Sequence, residues 1–316
     1  MKISKKFLIG FAAFIILTVI LSGCTGNNGD TDTIFINKTG NKPSYNFAKT
    51  ADRYQFTYKK SVLNLSRKKF DDYNLTEQHL RKFCDKMEEV YTLYSDFFMV
   101  HDLPEVFTYN SVTREYMESA GVFVDAYSVG EENATYYVEG WLENYIKNIN
   151  KGLPSIVTHE VGHLYTYCKL HGGSLYNSSK YVWDCEVFAV IATEYLLSLP
   201  DFELLNASGG KYSSVTTTQK KMMKEDGYDE WVKNYQAFIH YKIAVINEKY
   251  GYDILHEVFE EMIERESDLN ITEIFDLFFG IYSEKTGVNL KDEYFTQEEL
   301  DTIYENIGQN PEPPVY

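Results

Sequence analysis

Five residues near the middle of the chain have types and spacing suited to chemistry: His159-Glu160-Val161-Gly162-His163. On a helix, residues four apart share one face about a turn apart. Both imidazoles can then reach a single ion at ~2.0–2.1 Å, the distance that suits zinc. Glu160 stands one step round from the first histidine, beside the ligands rather than among them. A carboxylate there can take a proton from an attacking water and pass it to a leaving amine. Zn2+ is the expected cofactor, because it lowers the pKa of a water towards neutrality. Ile156 and Val157 before the run, and Leu164 after it, offer apolar positions that would bury the helix around the ion.

Three protein ligands are expected, with one position left for water and substrate. A third histidine in the same run is excluded, since the positions it would require are Thr166 and Lys169. His171 is out of register and reads as a surface or loop histidine. The third ligand is therefore expected to be an acid on the next helix, where Trp183-Asp184-Cys185-Glu186 offers Glu186. Glu194 lies two turns further along that helix and is the alternative, or else a partner that orients an imidazole N–H. Tyr176 and Tyr181, just before Glu186, are candidates for donating to a developing oxyanion. With 27 tyrosines in the chain, a purely structural role competes for each. A Cys168–Cys185 bridge would staple the two helices, and buried thiols, Cys84 among them, are the alternative.

Elements to hold these residues are legible on either side. Leu80, Phe83, Met87, Val90, Tyr91 and Tyr94 recur at three- and four-residue spacing and predict a helix over 76–100, with Thr76 as N-cap. Segments 105–110, 121–129 and 134–139 alternate Val, Phe, Tyr and Thr between Gly and Asn, the pattern of short strands. A strand within 121–139 is expected to run beside the cleft and pair with an extended peptide. Beyond Trp141 the pattern is helical, over about 155–170, 184–199, 214–225, 229–250, 252–265, 271–285 and 296–306, with stops at Pro200 and Gly251. The expected fold class is α+β and mainly helical: a small mixed sheet and metal helix over about 51–200, then a helical lobe over about 201–316.

Composition narrows the partners. The chain has 316 residues, and its 44% hydrophobic content is enough for a sizeable core. A formal charge of −17, with no basic patch, excludes nucleic acid as a partner. Lys2, Lys5 and Lys6 precede an apolar run from Phe7 to Leu21, the length of a signal-peptide core. The following Leu21-Ser22-Gly23-Cys24 resembles the lipobox of bacterial and archaeal lipoprotein signals. That resemblance implies removal of 1–23, lipidation of Cys24, and a membrane-anchored protein on the cell surface. Residues 24–50 read as a polar tether. Asn-x-Ser/Thr acceptors at Asn37, Asn64, Asn74, Asn133, Asn177, Asn206 and Asn270 fit an exported chain.

Taken together, the motif and the downstream acid resemble the gluzincins, zinc peptidases with His-Glu-x-x-His and a later Glu. Gly162 makes the run His-Glu-x-Gly-His, which is similar to the enhancin-like and mucin-degrading metallopeptidases. Glu248-Lys249-Tyr250-Gly251-Tyr252-Asp253 and Ser283-Glu284-Lys285-Thr286-Gly287-Val288-Asn289-Leu290 add to the likeness, which spans roughly 105–300. It implies a zincin-like fold, His159, His163 and Glu186 on zinc, Glu160 as base, and protein or glycoprotein substrates. Val190 stands where thermolysin-type members carry an acid, so the surroundings of the ligand differ. Glu186-Val187-Phe188-Ala189 also resembles the third-ligand helix of the lethal-factor metallopeptidases. Two rival readings are a non-catalytic zinc-containing adhesin or binding lipoprotein, and a transporter's solute-binding lipoprotein. The intact Glu160 argues against the first, and the long helical second half against the other.

Overall fold

A computed structural model describes residues 45–49, 52–100, 106–122, 124–166, 183–206, 209–226, 235–265 and 271–309. The signal segment, Cys24, Cys168, His171, Tyr176 and Tyr181 lie outside the described residues. Among the described residues no helix is long and apolar enough to cross a membrane.

Alternation builds the first half. Tyr54, Phe56 and Tyr58 are buried in β2 (Arg53–Tyr58), and Leu63 and Leu65 in β3 (Ser61–Ser66), while the residues between them face outward. The Lys59-Lys60 turn folds the two strands into an antiparallel hairpin. β1 (Tyr45–Lys49) pairs antiparallel with β2. The sheet therefore begins inside the stretch read as tether to residue 50. Tyr45 and Phe47 carry a short alternation that the polar residues before them mask.

β4 (Phe107–Val112), β5 (Ala126–Val129) and β6 (Ala134–Val138) complete a six-stranded mixed sheet in the order β1-β2-β3-β4-β6-β5. β3, β4 and β6 run parallel to one another, and β5 turns back antiparallel on β6 to form one edge of the sheet. The expected strand over 121–129 is only its second half, since Gly121 takes φ 78° in a turn. One sheet face stays polar, where Gln55, Asn64 and Asn110 form a side-chain ladder with contacts of 2.9 and 2.8 Å. The Asn64 acceptor site thus sits in mid-sheet, with its amide already engaged.

The other face takes the helices. α1 (Arg67–Asp72) and α2 (Glu77–Phe97) follow β3, and α2 buries Leu80, Phe83, Met87, Val90, Tyr91 and Tyr94. Thr76 is its N-cap as expected, although the reciprocal acceptor is the His79 imidazole, 3.2 Å from the Thr76 N–H. α3 (Arg114–Ser119) and α4 (Trp141–Lys147) are short connectors. The central helices are α5 (Ser155–Tyr165) and α6 (Trp183–Ser198). α7 (Val215–Asp226), α8 (Tyr235–Tyr250), α9 (Ile254–Arg265), α10 (Ile271–Thr286), α11 (Leu290–Tyr294) and α12 (Gln297–Gln309) form the second half. The fold is mixed α+β and mostly helical.

One hydrophobic cluster runs from Tyr54 to Ile307 through both halves. Phe97, Phe98, Tyr195, Phe188, Phe259 and Phe278 join α2 to α6, α9 and α10 with ring centroids 4.5–6.3 Å apart. At the far end Lys242 is anchored under α12. Its Nζ lies 3.0 and 3.1 Å from the Glu299 carboxylate oxygens, between the rings of Phe238 and Phe295. Removing one member of such a buried pair strands the other's charge. Lys242→Met should therefore lower stability by ~3–5 kcal/mol in chemical denaturation, whereas Lys242→Met with Glu299→Met together should recover most of the loss.

Candidate metal centre

α5 is held from three sides. Its start is fixed by β7 (Leu153–Pro154), which pairs parallel with β8 (Leu204–Leu205) beyond the end of α6. Gly152 is required there: a Cβ at its φ of 146° would lie 2.6 Å from the Glu203 carbonyl oxygen. α2 clamps the helix along its length. The Tyr94 hydroxyl donates to the Thr158 carbonyl at 3.2 Å, and the Tyr165 hydroxyl to the Tyr91 carbonyl at 2.7 Å. The third side is α6. A Cβ added at Gly162 would lie 3.0 Å from the Ala189 Cα and 3.2 Å from its Cβ, so two small residues let the helices cross closely.

That crossing decides where the third acid falls. Glu186 sits one turn before Ala189, and its carboxylate spans the two imidazoles. Oε2 lies 3.4 Å from His159 Nε2, Oε1 lies 3.3 Å from His163 Nε2, and the two Nε2 atoms are 3.0 Å apart. Tetrahedral ligands each ~2.0–2.1 Å from zinc are separated by ~3.3 Å, so this triangle fits the ion closely. Two neutral nitrogens and one carboxylate are also a donor set that zinc accepts. Among the described residues, this is the one group of three His, Cys, Asp or Glu whose donor atoms converge in this way. The His163 side chain is 4% exposed and that of His159 22%, so His163 is the more deeply buried of the two.

Glu194 does not join the group. It is buried further along α6, beside the Tyr212 hydroxyl. Glu160 is buried too, and it points towards the free edge of the sheet, where the Ser128 hydroxyl of β5 meets its Oε2 at 2.6 Å. Tyr176, Tyr181 and the Cys168–Cys185 bridge fall outside the described residues.

Two residues near the group escaped the sequence reading. Ser128 had no motif to mark it. His240 lies on α8, in the apolar run Phe238-Ile239-His240, and is 9% exposed. A ring N–H of His240 faces the Glu186 backbone carbonyl, and burial pushes the imidazole down to about 4, which keeps it neutral. Its Nε2 is buried with no hydrogen-bond partner among the described residues. A lone histidine inside an apolar helix was the available signal.

Electrostatics in the metal-free chain follow from the triangle. Burial opposes charge on Glu186, but the His163 and His159 imidazoles outweigh it and hold the carboxyl well below its ordinary range. Burial likewise opposes charge on His159, and its hydrogen bond to Glu186 more than compensates, so the imidazole titrates above its ordinary value.

Compared with family models, with curated proteins and with solved structures, the chain finds no match in any of the three.

Two outcomes are expected. Gly162→Ala adds a methyl 3.0 Å from the Ala189 Cα, tighter than ordinary contact, and should push α6 and Glu186 outward. Zinc affinity should fall roughly tenfold in a chelator competition, the size seen when a ligand's support is lost. Global stability should change by no more than ~1–3 kcal/mol of overpacking, partly offset by better helix propensity. The second outcome concerns pH. The raised His159 pKa stabilises the fold fully below its ordinary value near 6.5, and that contribution is lost as pH rises through the folded value. The lowered Glu186 pKa stabilises above its ordinary value near 4.5, and that contribution is lost as pH falls. In chelator, the Tm difference between wild type and Glu186→Gln should peak between these values and shrink on both sides. A difference independent of pH would contradict the coupling.

Proposed function

We propose that this chain is a zinc-dependent endopeptidase of gluzincin type, acting outside the cytoplasm on proteins or glycoproteins from a lipid anchor at Cys24. The observation that carries the reading is the triangle of His159, His163 and Glu186, with a fourth residue, Glu160, buried beside it and left outside the ligand set. A site that merely held an ion would have no use for that second carboxylate.

Bound zinc would polarise a carbonyl and make water a better nucleophile at neutral pH. The chain's own residues account for the rest. His159 and His163 supply neutral nitrogens from one helix face, and Glu186 closes the group with a single negative charge. Glu160 accepts the proton of the attacking water and returns it to the leaving nitrogen. Among the described residues β5 is an edge strand of the sheet, with no strand paired on its outer side, and it lies beside the helix that carries Glu160. An extended peptide can add there as a further strand, which favours a polypeptide over a small ester or amide. A zincin-like arrangement, in which an edge strand flanks the metal helix, is the fold reading that goes with this proposal.

The test is cleavage of mixed native and deglycosylated glycoproteins by the full chain, with new N-termini read by mass spectrometry. Glu160→Gln should retain zinc and lose ~10²–10⁴-fold in rate. Chelation should abolish cleavage, and zinc should restore it. Zinc-loaded wild type that cleaves nothing, or Glu160→Gln with undiminished activity, would overturn the reading.

A further inference from the structure

We propose that Ser128 is a positioning residue that fixes the carboxylate of Glu160, and so ties the base to the strand on which substrate would lie. This rests on the reading of Glu160 as the base.

Ser128 is the third residue of β5, the four-residue strand at the sheet's free edge. The pleat sends its side chain to the face opposite Tyr127, whose ring stacks on Tyr136 at 4.7 Å. The Ser128 hydroxyl instead meets α5 twice, 2.6 Å from Glu160 Oε2 and 2.8 Å from the Glu160 backbone carbonyl. A hydroxyl has one proton, so it serves one acceptor at a time. The charged carboxylate is the stronger acceptor and the closer one. The carbonyl is the alternative acceptor for the same proton, so the hydroxyl stays on Glu160 in either orientation.

This contact does two things. It occupies Oε2, which leaves Oε1 as the oxygen able to meet water, and it narrows the rotamers open to a side chain that must hold its aim. It also joins two elements that otherwise meet through packing. The base is then registered against β5 itself, so a peptide paired with that edge is registered against the base. Nothing in the contact touches His159, His163 or Glu186, so the loss of Ser128 should leave zinc binding alone.

The experiment compares full-length wild type, Ser128→Ala and Ser128→Thr, using zinc affinity by chelator competition together with kcat and KM on a peptide that wild type cleaves. Ser128→Ala should lose roughly 10- to 100-fold in kcat, with KM and zinc affinity within about twofold of wild type. Ser128→Thr, which keeps the hydroxyl, should stay within about threefold of wild type. If Ser128→Ala keeps full kcat, if Thr is as impaired as Ala, or if zinc affinity drops in Ser128→Ala, the positioning role is wrong. A double-mutant cycle of Ser128→Ala and Glu160→Ala in denaturant reads the contact without any turnover. Coupling of roughly fivefold or more in the unfolding equilibrium is expected of a hydroxyl on a charged acceptor. Additive effects would overturn the proposal even if the chain were a peptidase. Coupling with an inactive wild type would instead leave the contact standing and remove the peptidase reading.

Discussion

The close crossing of α5 and α6 at Gly162 and Ala189 is the constraint on which the centre depends. A helix pair of ordinary side chains packs ~8–10 Å apart, and at that spacing a carboxylate on α6 would have to reach further to meet both imidazoles. Here a glycine faces an alanine so closely that a methyl added at Gly162 would lie 3.0 Å from the Ala189 Cα. Glu186 arrives one turn before the crossing, with its two oxygens 3.4 and 3.3 Å from the histidine Nε2 atoms. The rest of the core secures this contact. Tyr94 and Tyr165 hold α5 against α2, and the Phe188, Phe259 and Phe278 rings press α6 from the C-terminal side.

The polar groups within the core follow the same logic. Tyrosines fill much of it, and several use their hydroxyls to tie backbone to backbone rather than to reach a ligand. Tyr91 and Tyr109 hydrogen-bond each other, and Tyr91 also meets Ser61 at 3.1 Å. Burial pushes these phenols well above their ordinary range, so they remain neutral donors and acceptors. Many of the chain's tyrosines are core residues with built-in cross-links.

Much of this was readable from residue order. The helix of His159 and His163, an acid on the next helix, and nearly every helix after Trp141 follow from spacing. Glu186 and Glu194 could not be separated so directly, because both lie on one helix face. What separates them is the point where α6 crosses α5, a tertiary fact signalled only by Gly162 and Ala189. The hairpin of β2 and β3 shows clean alternation at Tyr54, Phe56, Tyr58, Leu63 and Leu65, but the paired lysines of its turn and the polar stretch before it obscure the pattern. Ser128 and His240 were illegible for a different reason. Each matters through a partner more than thirty residues away, and single serines or histidines carry no periodic signature.

The β7–β8 pairing has a consequence of another kind. By joining the residue before α5 to the residues after α6, it closes a ring of chain from Leu153 to Leu205 whose ends are fixed independently of what connects the two helices. The cost of closing a loop rises only as the logarithm of its length, about 0.6 kcal/mol per doubling. The placement of Glu186 against His159 and His163 therefore rests on this frame, so a change in the number of residues between the two helices should cost the fold little.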